Sequence, residues 1–219
     1  MRIAVLAILT LLGADVCIAQ QTRPTTRPAT RPRDASTPKD ALRLLNLALR
    51  DGDARTVRQL FQTRTPEEAK LVSAMADYAA ALAALHHQAA KTFGDEGANL
   101  VTGDTDAESA EGLEAIEQSD VTITGDTATV TYKTSEDAPI KLTKIKGQWK
   151  LPLSQLTVGA ELGAEQHQRE DLVSQARLAQ ETAEEIAQGK YKAVEDAAHA
   201  WQSRVLDVVL ASSTQKKGE

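Results

Sequence analysis

Three rhythms of apolar and polar residues follow one another along this chain. From Pro38, apolar side chains recur every three or four positions; between Val121 and Leu151 they alternate with polar ones; from about residue 159 the longer spacing returns. The first rhythm predicts helices. Leu42, Leu45 and Leu49 form one stripe, opened by Ser36 or Thr37 as cap with Pro38 in the first turn, and closed by Asp51-Gly52-Asp53. A shorter helix follows, capped by Asp53 and apolar at Val57, Leu60 and Phe61. Thr65, Pro66, Glu67 and Glu68 then supply a cap, a first-turn proline and carboxylates suited to the helix dipole. They open a helix to Gly94 with Leu71, Met75, Tyr78, Leu82, Leu85 and Ala89 on one face.

Residues 94–118 are rich in Gly, Asp and Glu and offer little to bury before Leu113 and Ile116, which predicts a flexible loop and then a short helix. The second rhythm predicts strands. Gly125-Asp126 makes a two-residue hairpin loop pairing Ile123 with Ala128 and Val121 with Val130, and Lys146-Gly147 turns a second hairpin that sets Leu142 opposite Leu151. The inner face is Val121, Ile123, Ala128, Val130, Tyr132, Ile140, Leu142, Trp149 and Leu151; the outer face is threonine and lysine. Threonine on a strand tolerates water, so this outer face reads as solvated, with a basic groove as the sharper alternative. The third rhythm carries two stripes, Leu172 to Ala187 and Val194 to Val209, divided by Gly189, which permits a helical hairpin or one kinked helix. The expected fold class is α+β: N-terminal helices packed on a four-stranded antiparallel meander, followed by a long C-terminal helical hairpin or kinked helix.

The ends of the chain change the picture. Residues 1–19, "MRIAVLAILTLLGADVCIA", have a basic start, an uncharged run and small residues at the end, the pattern of a secretory signal peptide, so the expectation is export to the periplasm or medium. Cys17, the one cysteine, is the third residue from the end of that segment, where it fits a peptidase site better than a lipid-attachment site; disulfides and Cys-ligated zinc are then not expected. Residues 20–37 repeat Thr-Arg-Pro and read as an extended linker, whose Arg23, Arg27, Arg31 and Arg33 offer a weak contact to anionic envelope material. The α+β domain is expected over 38–158, the helical extension over 159–212 and a disordered tail over 213–219. Setting aside Arg2, Asp15 and the linker arginines leaves 20 basic and 30 acidic side chains, a net of −10. With only seven aromatic rings, such a body is not expected to bind nucleic acid.

"TPKDALRLLNLALRDGDARTVRQLF", followed by a meander containing "GDTATVTY" and ending "IKLTKIKGQWKLPL", resembles exported bacterial domains of the nuclear transport factor 2-like superfamily, over about residues 36–153. The resemblance implies a cone-shaped pocket between the sheet and the helix over 66–93. Enzymes of that superfamily carry Asp, Glu or His on the inner sheet face, because proton transfer needs a titratable group at hydrogen-bonding distance. Here that face offers only the Tyr132 hydroxyl. Tyr132, Tyr78 and Trp149 are therefore the ligand-binding candidates; no catalytic residue, cofactor or metal ligand is assigned.

The remaining polar patterns have structural explanations. His86 and His87 stand about 100° apart on a helix and cannot readily share an ion. His199 follows Glu195 and Asp196 as a surface pair would, and His167 stands in a run of Gln and Glu. Asp104 begins like a calcium loop, but Ser109 and Ala115 stand where Gly and Glu are required. The expected role is an exported non-catalytic binding or assembly domain, with an unknown protein partner or a small apolar ligand. Two alternatives are an isomerase- or dehydratase-like enzyme using Tyr132 with an acid such as Asp77, and a homo-oligomer paired through its helical tail.

Overall fold

In the computed structural model, residues 34–133, 138–155 and 164–215 are described. The signal peptide, the linker arginines and the last tail residues lie outside them, as do 156–163 at the start of the expected extension. Helix α1 (Pro38–Asp51) starts on Thr37, whose hydroxyl accepts from the Asp40 amide. It ends at Gly52 in the left-handed region, with φ 67°. Leu42 and Leu45 are buried as expected, but so are Leu44 and Leu47, because α1 packs against several elements at once. Helix α2 (Ala54–Leu60) is capped by Asp53. Phe61 belongs to the next element, the two-residue strand β1 (Phe61–Gln62).

Helix α3 (Pro66–Phe93) is capped by Thr65 and runs for 28 residues. Beyond the expected stripe it also buries Val72, Ala74, Ala76, Ala79 and Ala81, since it packs on α1, α2, the helix that follows it and, most extensively, the helix Ala164–Ala187. Of the loop and short helix expected over 94–118, the helix is present as α5 (Thr105–Gln118), but the loop is replaced by a further helix, α4 (Asp95–Thr102). Few apolar residues suffice here: Ala98, Val101 and Ile116 are buried while Leu100 stays exposed, Gly94 and Gly103 break the chain between helices, and Asp104 caps α5 by accepting from the Ala107 amide. Helix α5 is tied to α1 by Ser109 donating to Asn46 at 2.6 Å and Lys39 donating to the Glu117 carbonyl at 2.7 Å.

The meander comprises β2 (Asp120–Thr124), β3 (Thr127–Thr131), β4 (Ile140–Ile145) and β5 (Gln148–Pro152). Ile123 faces Ala128 and Val121 faces Val130, as the alternation predicts. The β4–β5 turn has positive φ at both Lys146 and Gly147, the geometry of a tight hairpin. The sheet departs from the four-stranded expectation by one strand: β1 adds in parallel beside β5, pairing Phe61 with Leu151, in the order β1-β5-β4-β3-β2. That side of β5 also receives residues read as linker, for the Trp149 amide donates to the Ala35 carbonyl at 2.9 Å. On the inner face Ala128, Val130, Tyr132, Leu142, Trp149 and Leu151 are buried, and Val121 and Ile140 partly so. Ile123 is the exception at 55% exposure, because β2 is the sheet edge and its turn end projects past the helices.

The chain closes with α6 (Ala164–Ala187) and α7 (Val194–Gln215), a helical hairpin and not a kinked helix. Gly189, at φ 71°, lies in the turn. α6 packs along α3, and α7 packs on α6 and α4, so one hydrophobic core runs from the sheet through α1 and α3 to Ile186 and Trp201.

Candidate functional site

The three aromatic residues expected to line a pocket are all core residues. Tyr78 is 3% exposed, Tyr132 8% and Trp149 3%. The sheet rests on α1 and α2, while α3 packs mainly on other helices, so the space in which the three would have met a ligand is occupied by side chains. Burial raises the Tyr132 phenol to about 12 and shifts the Tyr78 phenol upward as well. Neither exchanges a proton readily near neutrality. The Trp149 ring is capped from its solvent side by the Lys144 ammonium, 5.7 Å from the ring centre. Asp77, the acid proposed to act with Tyr132, points outward and forms an ion pair with Arg58.

An open groove does exist, on the opposite side of α3. Its volume is about 330 Å³, and it follows the seam where the first turns of α3 meet the first turns of α6. Small residues of α3, Ala69, Ser73 and Ala74, form the floor; Lys70, Asp77 and Arg169 supply charge, and Val173 stands at the wall with 55% exposure. The charges are ordered by Glu67, which accepts from Lys70 at 2.8 Å and pairs with Arg169 at 3.5 Å. The Lys70 hydrogen bond, aided by the charges of Lys70 and Arg169, holds the Glu67 carboxyl below its ordinary value. A surface of this kind, with a shallow apolar floor and both signs of charge at the rim, can seat a protein segment. It provides no enclosed space and no paired acid and base for a reaction. Val173 was read from the sequence as a core position; the approach of α6 to α3 leaves it at the rim instead.

Two polar clusters lie elsewhere. At the hairpin turn Glu185 accepts from Arg204 at 3.0 Å, from Lys190 at 2.6 Å and from the Tyr191 hydroxyl. These donors, Arg204 first, hold the Glu185 carboxyl at about 2. Arg204 also reaches the fully buried Thr182 hydroxyl, so the cluster clamps α6 to α7. On α3, His86 Nδ1 lies 2.7 Å from the Thr102 hydroxyl, which donates its one proton to the Ala98 carbonyl. His86 Nδ1 is therefore the donor, and the ring ties α3 to α4. Among the described residues no three His, Cys, Asp or Glu side chains come together as a metal site, and no helix is long and apolar enough to cross a membrane.

The residues that shape the groove carried no sequence signal, because Lys70 and Arg169 lie about a hundred positions apart. Arg204 escaped notice because its partner Glu185 is brought to it only by the folding back of α7 on α6. No protein-family model matches the chain, and neither a curated protein nor a solved structure matches it.

Proposed function

We propose that this chain is an exported binding or assembly domain that works through its helical surface, at the groove between α3 and α6, and not through chemistry at the sheet. The nuclear transport factor 2-like resemblance enters as a proposal about the ancestry of the α1–sheet portion. It is supported by the order of elements, by α1 ending at Gly52-Asp53 and by the packing of α1 on β5. The observation that carries the functional reading is the position of Tyr78, Tyr132 and Trp149: all three are consumed by the core, which leaves the groove with Lys70, Arg169 and Val173 as the accessible concave surface. The occupant it suits is a protein segment with a small apolar anchor and at least one acidic side chain to meet Lys70 and Arg169.

The test is cross-linking of the exported protein in its own cell envelope. Arg169→Glu is expected to reduce adduct formation at the groove by about tenfold, while Tyr132→Phe leaves it unchanged. A small-molecule substrate turned over at clearly different rates by wild type and Tyr132→Phe would sink the reading.

A further inference from the structure

Among the described residues, the sheet has one edge that no other element covers. Strand β2 pairs with β3 on one side only, and four of its five residues are exposed. The register decides which backbone groups that edge presents. Thr124 and Thr127 close a two-residue loop and form a hydrogen-bonded pair, and on the far side of β3 the Asp126 carbonyl accepts from Lys144. Alternation from that point turns the backbone groups of Asp120, Thr122 and Thr124 toward β3, and the N–H and C=O of Val121 and Ile123 outward.

These four outward groups are self-complementary. If a second β2 runs antiparallel to the first about a two-fold axis at Thr122, Val121 falls opposite Ile123 of the other copy and Ile123 opposite its Val121. Both become hydrogen-bonded pairs, and four backbone bonds satisfy every outward group of Val121 and Ile123 on both strands. Side chains agree with that register. Val121 and Ile123 share the inner face, so the 55%-exposed Ile123 gains an apolar neighbour from the other copy. Thr122 meets Thr122 on the outer face, a favourable cross-strand pair. Charge does not oppose it: Asp120 falls opposite Thr124 and already has Lys133 of its own chain at 3.4 Å. The strand also lacks the devices that usually discourage edge pairing, having no proline, no lysine and no bulge between Asp120 and Thr124.

We propose that two copies of this chain associate edge to edge through β2, joining their sheets across a two-fold axis at Thr122. The far edge of each sheet is the two-residue β1, so the assembly closes as a dimer. A five-residue strand pair buries much less than the roughly 1,200 Å² of a standard stable interface, so association is weak and depends on concentration. The proposal is separate from the groove: Arg169→Glu leaves β2 untouched, and the failure of either reading does not decide the other.

Disulfide trapping suits a weak, geometrically defined dimer. The protein is purified after export from the full chain, with Cys17, the one native cysteine, changed to Ser. In the two-fold register the Thr122 Cα atoms lie about 4.5 Å apart as a non-hydrogen-bonded pair, inside the roughly 4.4–6.8 Å range of disulfides. The Thr124 Cα atoms lie about 14 Å apart. Under mild oxidation Thr122→Cys is expected to form cross-linked dimer at least about tenfold faster than Thr124→Cys. Adding Ile123→Lys or Ile123→Pro to Thr122→Cys should abolish that excess, while circular dichroism shows the fold kept. Equal rates at 122 and 124, or no excess at 122 in a folded protein, overturn the proposal.

Discussion

The sheet half and the helical layer of this protein bury their apolar residues by different means. In the sheet, a period of two places alternate side chains on alternate faces, and the strand neighbours are close in sequence, so Leu142 and Val130 reach the core with little help from distant segments. Among the helices, small residues permit close approach, and the principal partners α3 and α6 are far apart in the chain. Where α1 ends against α3 the approach is closest: a Cβ built at Gly52 would lie 2.7 Å from Ala83 Cβ and 3.0 Å from Ala80 Cα. Sheet packing tolerates local reading, whereas the helical layer depends on backbone approach that a single methyl group blocks.

The largest expected effects test whether the two halves share one core. Trp149→Ala in the sheet should cost about 4 kcal/mol and Leu172→Ala in α6 about 3 kcal/mol. Both should lower the midpoint of the same single urea transition, followed by circular dichroism. Two separated transitions in either variant would divide what the packing joins. Next comes Gly52→Ala, for which positive φ and the clash with α3 together predict a loss of about 2–3 kcal/mol. A compensating Ala83→Gly should recover only the clash with the Ala83 methyl, because the close approach to the Ala80 backbone and the φ of 67° remain.

Glu185→Gln sharpens the contrast through pH. The carboxyl of Glu185 sits at about 2 in the folded chain against an ordinary 4.5. Its contribution is therefore present above pH 4.5 and lost as pH falls toward 2. With allowance for its partial exposure, that contribution is about 1–2 kcal/mol. The variant should be less stable than wild type at pH 7 by that amount, and the difference should shrink between pH 4.5 and 2 in acid-dependent melts. Smallest are the caps. Thr37→Ala and Thr65→Ala should each cost about 1 kcal/mol in thermal denaturation. An equal cost at the two sites would show that capping is local and indifferent to which half the helix serves.

Much of the fold was legible because its signals are short-range. Thr37, Asp53 and Thr65 cap the helices that their positions announce, and Gly125-Asp126 turns the hairpin in the expected register. The segment 94–118 was misread because its helices bury Ala98, Val101 and Ile116 one or two at a time, too few to make a periodic stripe. β1 was missed because two residues have no period, and their strand character comes only from pairing with β5. The candidate site was less legible still. Alternation correctly placed Tyr132 and Trp149 on the inner face, but whether that face met a cavity or a packed helix depended on where α1 came to rest.

The sequence by itself determined where α1, α3 and the β2–β3 hairpin begin and end, which face of the sheet is threonine-rich, and that its apolar face carries a single polar handle. These follow from backbone hydrogen bonding and side-chain periodicity within a few residues. Only the tertiary structure decided that the sheet rests on α1 and α2, that α6 and α3 form a groove, that Arg204 finds Glu185, and that no described element pairs with the outer edge of β2. Those outcomes depend on shape and backbone approach between segments far apart in the chain, and a one-dimensional pattern carries no measure of such distances.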